Sequence, residues 1–299
     1  MIKKLRIRFI LFNMLVISTI VILLSIAIFI GTNSYISVHR IVITVGICLI
    51  LVFCVSVLLS KFALKSIQEA WQRQLDFTAD ASHELRTPLA VMQTNLEIVL
   101  DNKEETVLSQ MIWLDNVMYE NKRMASLVGD LLTLSRADTN EQMLNLETFD
   151  IAKIIEETLV PYYPIGKKQG VEIIFKNKLE NILDFYGDPK RIQQLIIILL
   201  DNALKYMNRS GKIIVQVQLK AKQIELQVKD TGEGINKEEL KKIFNRFYRV
   251  DKASSRKRGG SGLGLAIAKW IVEGHKGTIE VKSEIDKGTD FKIKLPMIY

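Results

Sequence analysis

The sequence predicts a multi-domain chain: two transmembrane helices, an antiparallel helical hairpin dimerising to a four-helix bundle, and an α/β sandwich. Three observations predict it. Two long uncharged runs fall within the first sixty residues, two apolar stripes at 3-4 spacing follow, and beyond Asn140 strand-like and helical segments alternate. At roughly 150 residues per domain, 299 residues leave room for about two domains with sizeable cores. Charged residues make up an ordinary 25% while the mean hydropathy is positive, so apolar residues are concentrated in part of the chain.

Residues 9–30 form 22 consecutive positions without a charge, and 41–60 another 20. At 1.5 Å per helical residue each is long enough for a hydrocarbon core of about 30 Å. A cleaved leader is a poor reading of the first run, which is too long and lacks a small-x-small cleavage site. Lys3, Lys4, Arg6 and Arg8 precede the first run and Lys61 and Lys65 follow the second, whereas Arg40 alone is cationic between them. The positive-inside rule then places both termini in the cytoplasm of a multi-pass protein of the cell membrane. Residues 1–60 are thus a membrane anchor. Its short connecting loop leaves any stimulus to act on the spans, the lipid or a membrane partner. Cys48 and Cys54, six apart, fall on different helix faces and read as apolar packing residues.

Residues 61–76 read as a linker helix and 77–139 as the hairpin. Leu75, Ser82, Leu85, Leu89, Met92, Leu96 and Val99 lie on one stripe; Val107, Met111, Leu114, Met118, Met124, Val128 and Leu131 form the second. Asp101-Asn102-Lys103 supplies the turn. Seams this narrow bury little within one hairpin, so a homodimer closing four helices is expected. His83 lies beside the first seam, facing solvent. Pro88 lacks the donor that would meet the Glu84 carbonyl, so the helix is expected to kink or loosen just after His83.

The thirteen residues Phe77-Thr78-Ala79-Asp80-Ala81-Ser82-His83-Glu84-Leu85-Arg86-Thr87-Pro88-Leu89 resemble the phospho-acceptor box of bacterial sensor histidine kinases. The resemblance implies that His83 attacks the γ-phosphate of ATP, that Glu84 accepts or orients the imidazole proton, and that Thr87 helps place water for dephosphorylating a response regulator. The chemistry is reasonable on its own, since neutral imidazole is a competent nucleophile near pH 7. His39 and His275 have no such neighbours.

In the last part, 144–149, 171–175, 212–219 and 223–229 read as strands and 189–207 as a helix. That helix has a wide apolar face, with Asn202 and Lys205 opposite. An amide oxygen is a suitable hard ligand for Mg²⁺. Asp230-Thr231-Gly232-Glu233-Gly234 follows a strand. Gly259-Gly260-Ser261-Gly262-Leu263-Gly264 precedes a helix, where free N–H groups and the positive dipole end suit an anion. No Gly-Lys-Ser/Thr ending makes the run a P-loop.

These segments resemble, in order, the N box and glycine boxes of the histidine kinase nucleotide domain, with Phe244 to Arg249 like its F box and 250–258 like its lid. The resemblance covers about 62–299 and implies that 140–299 is a catalytic ATP-binding domain of the Bergerat fold. It assigns the nucleotide to Asn202, Lys205, Tyr206, Asp230, Gly232, Gly234, Arg246, Gly260, Gly262, Leu263, Gly264 and Thr289. Asn202 would ligate Mg²⁺ and Asp230 would take the adenine amino group, with Gly232 and Gly234 letting backbone approach the base. Ile198 departs from the pattern, which usually has Asn four residues before Asn202. An aliphatic side chain is neither base nor ligand, so free ATP hydrolysis is disfavoured and slower kinase chemistry expected.

The reading implied is a sensor kinase that phosphorylates itself on His83 and passes the group to an aspartate of a cognate response regulator. A phosphatase-dominant sensor is one rival, and a non-catalytic ATP-gated membrane switch another. The net charge of +8 resolves into +4 in the first eight residues, +5 across 246–258 and about −1 over the rest of the chain. One cluster orients the chain at the inner lipid surface and the other faces nucleotide phosphates; neither calls for nucleic acid.

Overall fold

The computed structural model describes residues 14–23, 26, 38–138, 144–180, 183–207, 210–250 and 260–297. The chain divides into two compact units, Met1–Ala79 and Asp80–Tyr299.

In the first unit, residues 14–23 are helical and α1 (Val38–Asp101) begins. Among the described residues no helix is long and apolar enough to cross a membrane. The two expected spans are therefore not found there. Of the first, 9–13, 24–25 and 27–30 lie outside the described residues, as do Lys3, Lys4, Arg6 and Arg8; of the second, the side chains at 41, 42, 44, 49, 59 and 60 do. Ile47, Ile50, Leu51, Phe53 and Leu58 are exposed, and Cys48 and Cys54 are free thiols.

The second unit begins with the rest of α1, which turns back into α2 (Met111–Asp138). At the turn the Asn102 side chain donates to the Ile98 carbonyl at 2.8 Å and Gln110 donates to the Asn102 carbonyl at 2.6 Å. Between the helices the buried Asn95 accepts from Asn116 at 3.3 Å. The expected loosening after His83 does not interrupt α1, which keeps Pro88 inside it. Turns on both sides carry the helix through the lost bond, and Pro88 itself is buried.

The remaining elements are β1 (Glu147–Asp150), α3 (Ile151–Leu159), α4 (Tyr162–Lys168), β2 (Val171–Asn177), β3 (Asp184–Gly187), α5 (Pro189–Lys205), β4 (Gly211–Lys220), β5 (Gln223–Asp230), α6 (Gly264–Gly274), β6 (Thr278–Glu284) and β7 (Gly288–Pro296). A five-stranded sheet runs β2-β4-β5-β7-β6, parallel only between β2 and β4, beside a small antiparallel β1-β3 pair. Asp150 caps α3 and Asp188 caps α5, which starts on Pro189; both are standard N-terminal signals.

Period-2 alternation puts Val215, Val217, Leu226, Val228, Phe291 and Ile293 on one face of the sheet. Against it lie Ile192, Leu195, Ile196, Leu199 and Leu200 of α5 and Ile267 and Ile271 of α6, all buried. The two helices also pack on each other. This is one helical layer on one sheet face. The other face is polar, with Gln227 donating to Asp290 at 2.8 Å and Lys294 to Glu280 at 2.7 Å.

Candidate nucleotide site

The apolar row of β5 ends in a carboxylate. Ile224, Leu226 and Val228 point into the core, and Asp230, next in the same alternation, is buried as well, though slightly more open at 7% exposure. Its Oδ1 accepts the backbone N–H of Gly232 at 2.8 Å and of Thr289 at 3.1 Å. Burial pushes this carboxyl above the usual carboxylate range, partly offset by those two N–H groups.

Asp230 lines a cavity of about 820 Å³, within the range of small-molecule sites. On α5, positions 198, 202 and 205 share one stripe beside the buried face, and Ile198, Asn202 and Lys205 all line the cavity with Tyr206. The Lys205 ammonium stands 5.2 Å from the Tyr206 ring centre. Gly260, Gly262 and Gly264 bring the loop before α6 to the same wall, and Thr289 closes it beside Asp230.

Gly234 and Gly262 sit at φ of 72° and 71°, where side chains are disfavoured. A Cβ on Gly234 would meet the Glu284 carbonyl, one on Gly232 the Tyr206 carbonyl, and one on Gly262 the Phe247 backbone. At Gly232 and Gly234 the backbone therefore runs close to the protein's own chain. These glycines seat the loops that frame the cavity.

Of the residues singled out in the sequence, Gly232, Leu263 and Arg246 are not on the cavity wall. Gly232 holds Asp230, and Leu263 is fully buried ahead of α6. Residues 251–259, most of the expected lid, lie outside the described residues. His83 and Thr87 are exposed and off the wall, with the Thr87 hydroxyl donating to the His83 carbonyl at 3.4 Å.

Glu84 does line the cavity, together with Pro88, Arg123 and Asp130 of the hairpin. Adjacent helix positions do not face each other, which is why Glu84 turns inward while His83 stays out. Its carboxylate stands 3.9 Å from Arg123 and 3.8 Å from Arg249. Arg249 was not singled out by sequence reasoning, although it ends the F-box segment and follows Tyr248. Asp130 accepts from the Ser261 hydroxyl at 3.4 Å; burial raises its pKa above the usual range, and the Ser261 contact opposes the shift.

His275 is a buried structural residue. Its Nε2 accepts the Asp188 N–H at 2.9 Å and its Nδ1 lies 2.8 Å from the Ile271 carbonyl, which fixes the neutral tautomer with the proton on Nδ1.

Comparison with known proteins bears on this site directly. Residues 187–298 match the family described as histidine kinase-, DNA gyrase B- and HSP90-like ATPase, and 73–140 match the His Kinase A (phospho-acceptor) domain. By these two domains the chain belongs to the sensor histidine kinases. The chain is 36% identical over 247 residues to the sensor protein CiaH of Streptococcus pneumoniae, covering 82% of the chain and 54% of CiaH. It is 38% identical over 236 residues to ArlS of Staphylococcus aureus, covering 77% of the chain and 50% of ArlS. The chain thus spans about half the length of these curated relatives. The Acinetobacter baumannii histidine kinase AdeS superposes with a TM-score of 0.60 at 27% identity, over 73% of this chain and 98% of that one. The histidine kinase ThkA, solved in complex with the response regulator TrrA, shares the fold with a TM-score of 0.63 at 22% identity, over 77% and 64% of the two chains.

The cavity fits a nucleotide on its own chemistry. It offers a buried acceptor at Asp230, cations at Lys205 and Arg249, and a buried Arg249 Nη2 that has no hydrogen-bond partner among the described residues. Among the described residues no cluster of three or more acidic, His or Cys side chains could hold a metal unaided.

Proposed function

We propose that this kinase uses ATP to phosphorylate His83 and passes the phosphoryl group to an aspartate of a response regulator, as a homodimer anchored in the cell membrane with both termini cytoplasmic. One observation carries the proposal: the helix bearing the phospho-acceptor box forms a wall of the cavity that holds Asp230, Asn202, Lys205 and the glycine-bearing loop.

Asp230 would accept the adenine amino group through Oδ2, its Oδ1 being committed to backbone. Lys205 and the N–H groups before α6 would hold the phosphates, and Asn202 would hold Mg²⁺, which neutralises charge on the leaving diphosphate. An imidazole nitrogen of His83 forms the bond to the γ-phosphorus as the bond to the β-phosphate oxygen breaks and ADP leaves. Glu84 takes or orients the ring proton, and Thr87 places water when the regulator is dephosphorylated. For that reaction His83 must come to the cavity, by movement of the hairpin or from a second protomer.

The dimer is supported by the seam. Leu89 is 55%, Leu96 43% and Met118 54% exposed in the single chain, an apolar stripe that a second copy covers. The membrane reading is supported by the two uncharged runs, by the flanking cations and by exposed Ile50 and Leu51. The response regulator is supported by the phospho-acceptor domain match and by the kinship with CiaH and ArlS.

The test is incubation of the full chain in lipid vesicles with γ-labelled ATP and Mg²⁺, beside His83→Gln. Acid-labile, base-stable label is expected in the parent and none in the variant; label that survives the substitution refutes the assignment. A phosphatase-dominant sensor is the second reading. It is favoured by Ile198, which packs against Gly264 in place of a polar ligand, and would give weak label but rapid loss of phosphate from a phosphorylated regulator.

A further inference from the structure

Two carboxylates of the hairpin enter the cavity, and each stands on a group suited to hold an anion. Glu84 Oε1 lies 3.8 Å from Nη1 of Arg249, whose side chain is only 8% exposed. Nη2 of that guanidinium is buried and has no hydrogen-bond partner among the described residues. A buried cation with an unused fork position is costly unless an anion completes it. On the other wall, Asp130 Oδ2 accepts from Ser261 at 3.4 Å, inside the loop that opens onto the N-terminus of α6, a helix of 11 residues. Its N–H groups and dipole favour negative charge.

The nucleotide domain therefore offers two anion-holding groups, and both carry a carboxylate of the hairpin. Neither contact is tight. At 3.8 and 3.4 Å they have the lengths of placeholders rather than of charge-assisted bonds, which run about 2.7–2.9 Å. In the same arrangement His83 is exposed and off the cavity wall, and Glu84 is turned to the arginines.

We infer that Glu84 and Asp130 stand in for nucleotide phosphates in a resting state, so that hairpin docking and nucleotide loading compete for Arg249 and the Ser261 loop. The inference rests on the nucleotide-site reading above. An entering triphosphate brings several negative charges against two desolvated carboxylates. The phosphates make the better partners for a guanidinium fork and for N–H groups, so the carboxylates give way. Their departure unpins α1 and α2 and frees Glu84 to turn toward the ring of His83. Arg123, 3.9 Å from Glu84 in this arrangement, stays on the hairpin and leaves the freed carboxylate a cation nearby. Coupling of this kind is reciprocal. Whatever draws the hairpin away from Arg249 and Ser261 raises nucleotide affinity, giving a signal in α1 a route to the site without touching the nucleotide.

The experiment is calorimetric titration of the full chain in detergent micelles with AMP-PNP and Mg²⁺, for the parent, Asp130→Asn, Glu84→Gln and the pair. Asn is nearly isosteric with Asp and removes a desolvated charge, so folding is preserved. Each single variant is expected to bind at least about fivefold more tightly, and the double variant more tightly than either. Unchanged or weaker binding by Asp130→Asn overturns the competition while leaving the nucleotide site in place. No binding by any of the four proteins overturns the nucleotide-site reading and the competition with it. Hydrogen exchange on the unsubstituted chain gives an independent reading: AMP-PNP should increase amide exchange in peptides spanning 80–90 and 124–134. Equal or slower exchange there refutes release of the hairpin.

Discussion

Asp230 separates what the fold needs from what the ligand needs, because its two oxygens have different work. Oδ1 accepts two buried N–H groups, from Gly232 and Thr289, while Oδ2 is left for the cavity. Asp230→Ala strands both donors at about 1–3 kcal/mol each, a loss of about 2–6 kcal/mol in stability. Asp230→Asn keeps an oxygen on the two N–H groups and puts the amide NH₂ where Oδ2 was. Burial holds the native carboxyl above the ordinary range, so ionising it at neutral pH works against the fold, and the Asn variant escapes that cost. Facing the adenine amino group, however, the amide sets donor against donor. Loss of one charge-assisted bond of about 1.5–3 kcal/mol lowers nucleotide affinity by about 10- to 150-fold. Urea unfolding and titration with AMP-PNP measure the two effects separately. If Asp230→Asn binds like the parent, or Asp230→Ala is as stable as Asp230→Asn, the division of labour between the oxygens is refuted.

Burial lowers the pKa of His275 below its ordinary 6.5, because protonation would turn Nε2 from an acceptor into a donor facing the Asp188 N–H. Since the folded value is the lower one, this residue's contribution to stability is whole above about pH 6.5 and declines as pH falls from there toward the folded pKa. His275→Ala should lose about 2–4 kcal/mol near neutrality and show a flatter profile in urea unfolding between about pH 7.5 and 5.5; an unchanged slope counts against the neutral brace. Gly234→Ala combines a φ of 72° with a collision against the Glu284 carbonyl, and a loss of at least about 2 kcal/mol is expected, visible as a lowered melting temperature. Ile198→Asn places an amide one turn before Asn202 on the cavity wall, and Mg²⁺-dependent labelling of His83 should speed up several-fold; an unaltered rate shows that one amide on α5 is enough.

The helices of the hairpin and the helix-on-sheet layer were legible because burial imposes a period on the sequence. The 3-4 spacing of Ile192, Leu195, Leu199 and Ala203 and the alternation of Leu226 and Val228 are direct consequences of which face is hidden. The start of α5 at Pro189, with Asp188 as its cap, follows from local chemistry. The strand expected over 144–149 forms as β1 at Glu147–Asp150, whereas the short elements β3 and α4 were harder, since four to seven residues contain little periodicity and pairing such as Phe149 with Phe185 joins positions distant in sequence. Within the site, Asn202, Lys205, Asp230 and Gly262 were marked by motif. Arg249 and Asp130 were not, because their importance lies in contacts between the hairpin and the nucleotide domain that no local pattern encodes. The continuity of α1 through Pro88 is a similar case: propensity disfavours that turn, and flanking turns override it.

Core and site are made by the same elements at different phases of one repeat. On α5 the stripe at 192, 195, 199 and 203 is apolar and buried, while the stripe at 198, 202 and 205 borders the cavity. On β5 the inward row is apolar until its last position, where Asp230 takes the place of another Val or Ile. A rigid core thereby fixes the site without loops having to order first, and its catalytic groups inherit the precision of packed backbone. His83 stands apart from this economy. It rides on an exposed helix face, one residue from a glutamate held by two arginines, and reaches the nucleotide only by movement of a whole element or from a second chain. A nucleophile built into the cavity would transfer phosphate whenever ATP was present. In the proposed reaction, a nucleophile carried on a separate helix would let a signal acting on α1 set when the two halves of the reaction meet.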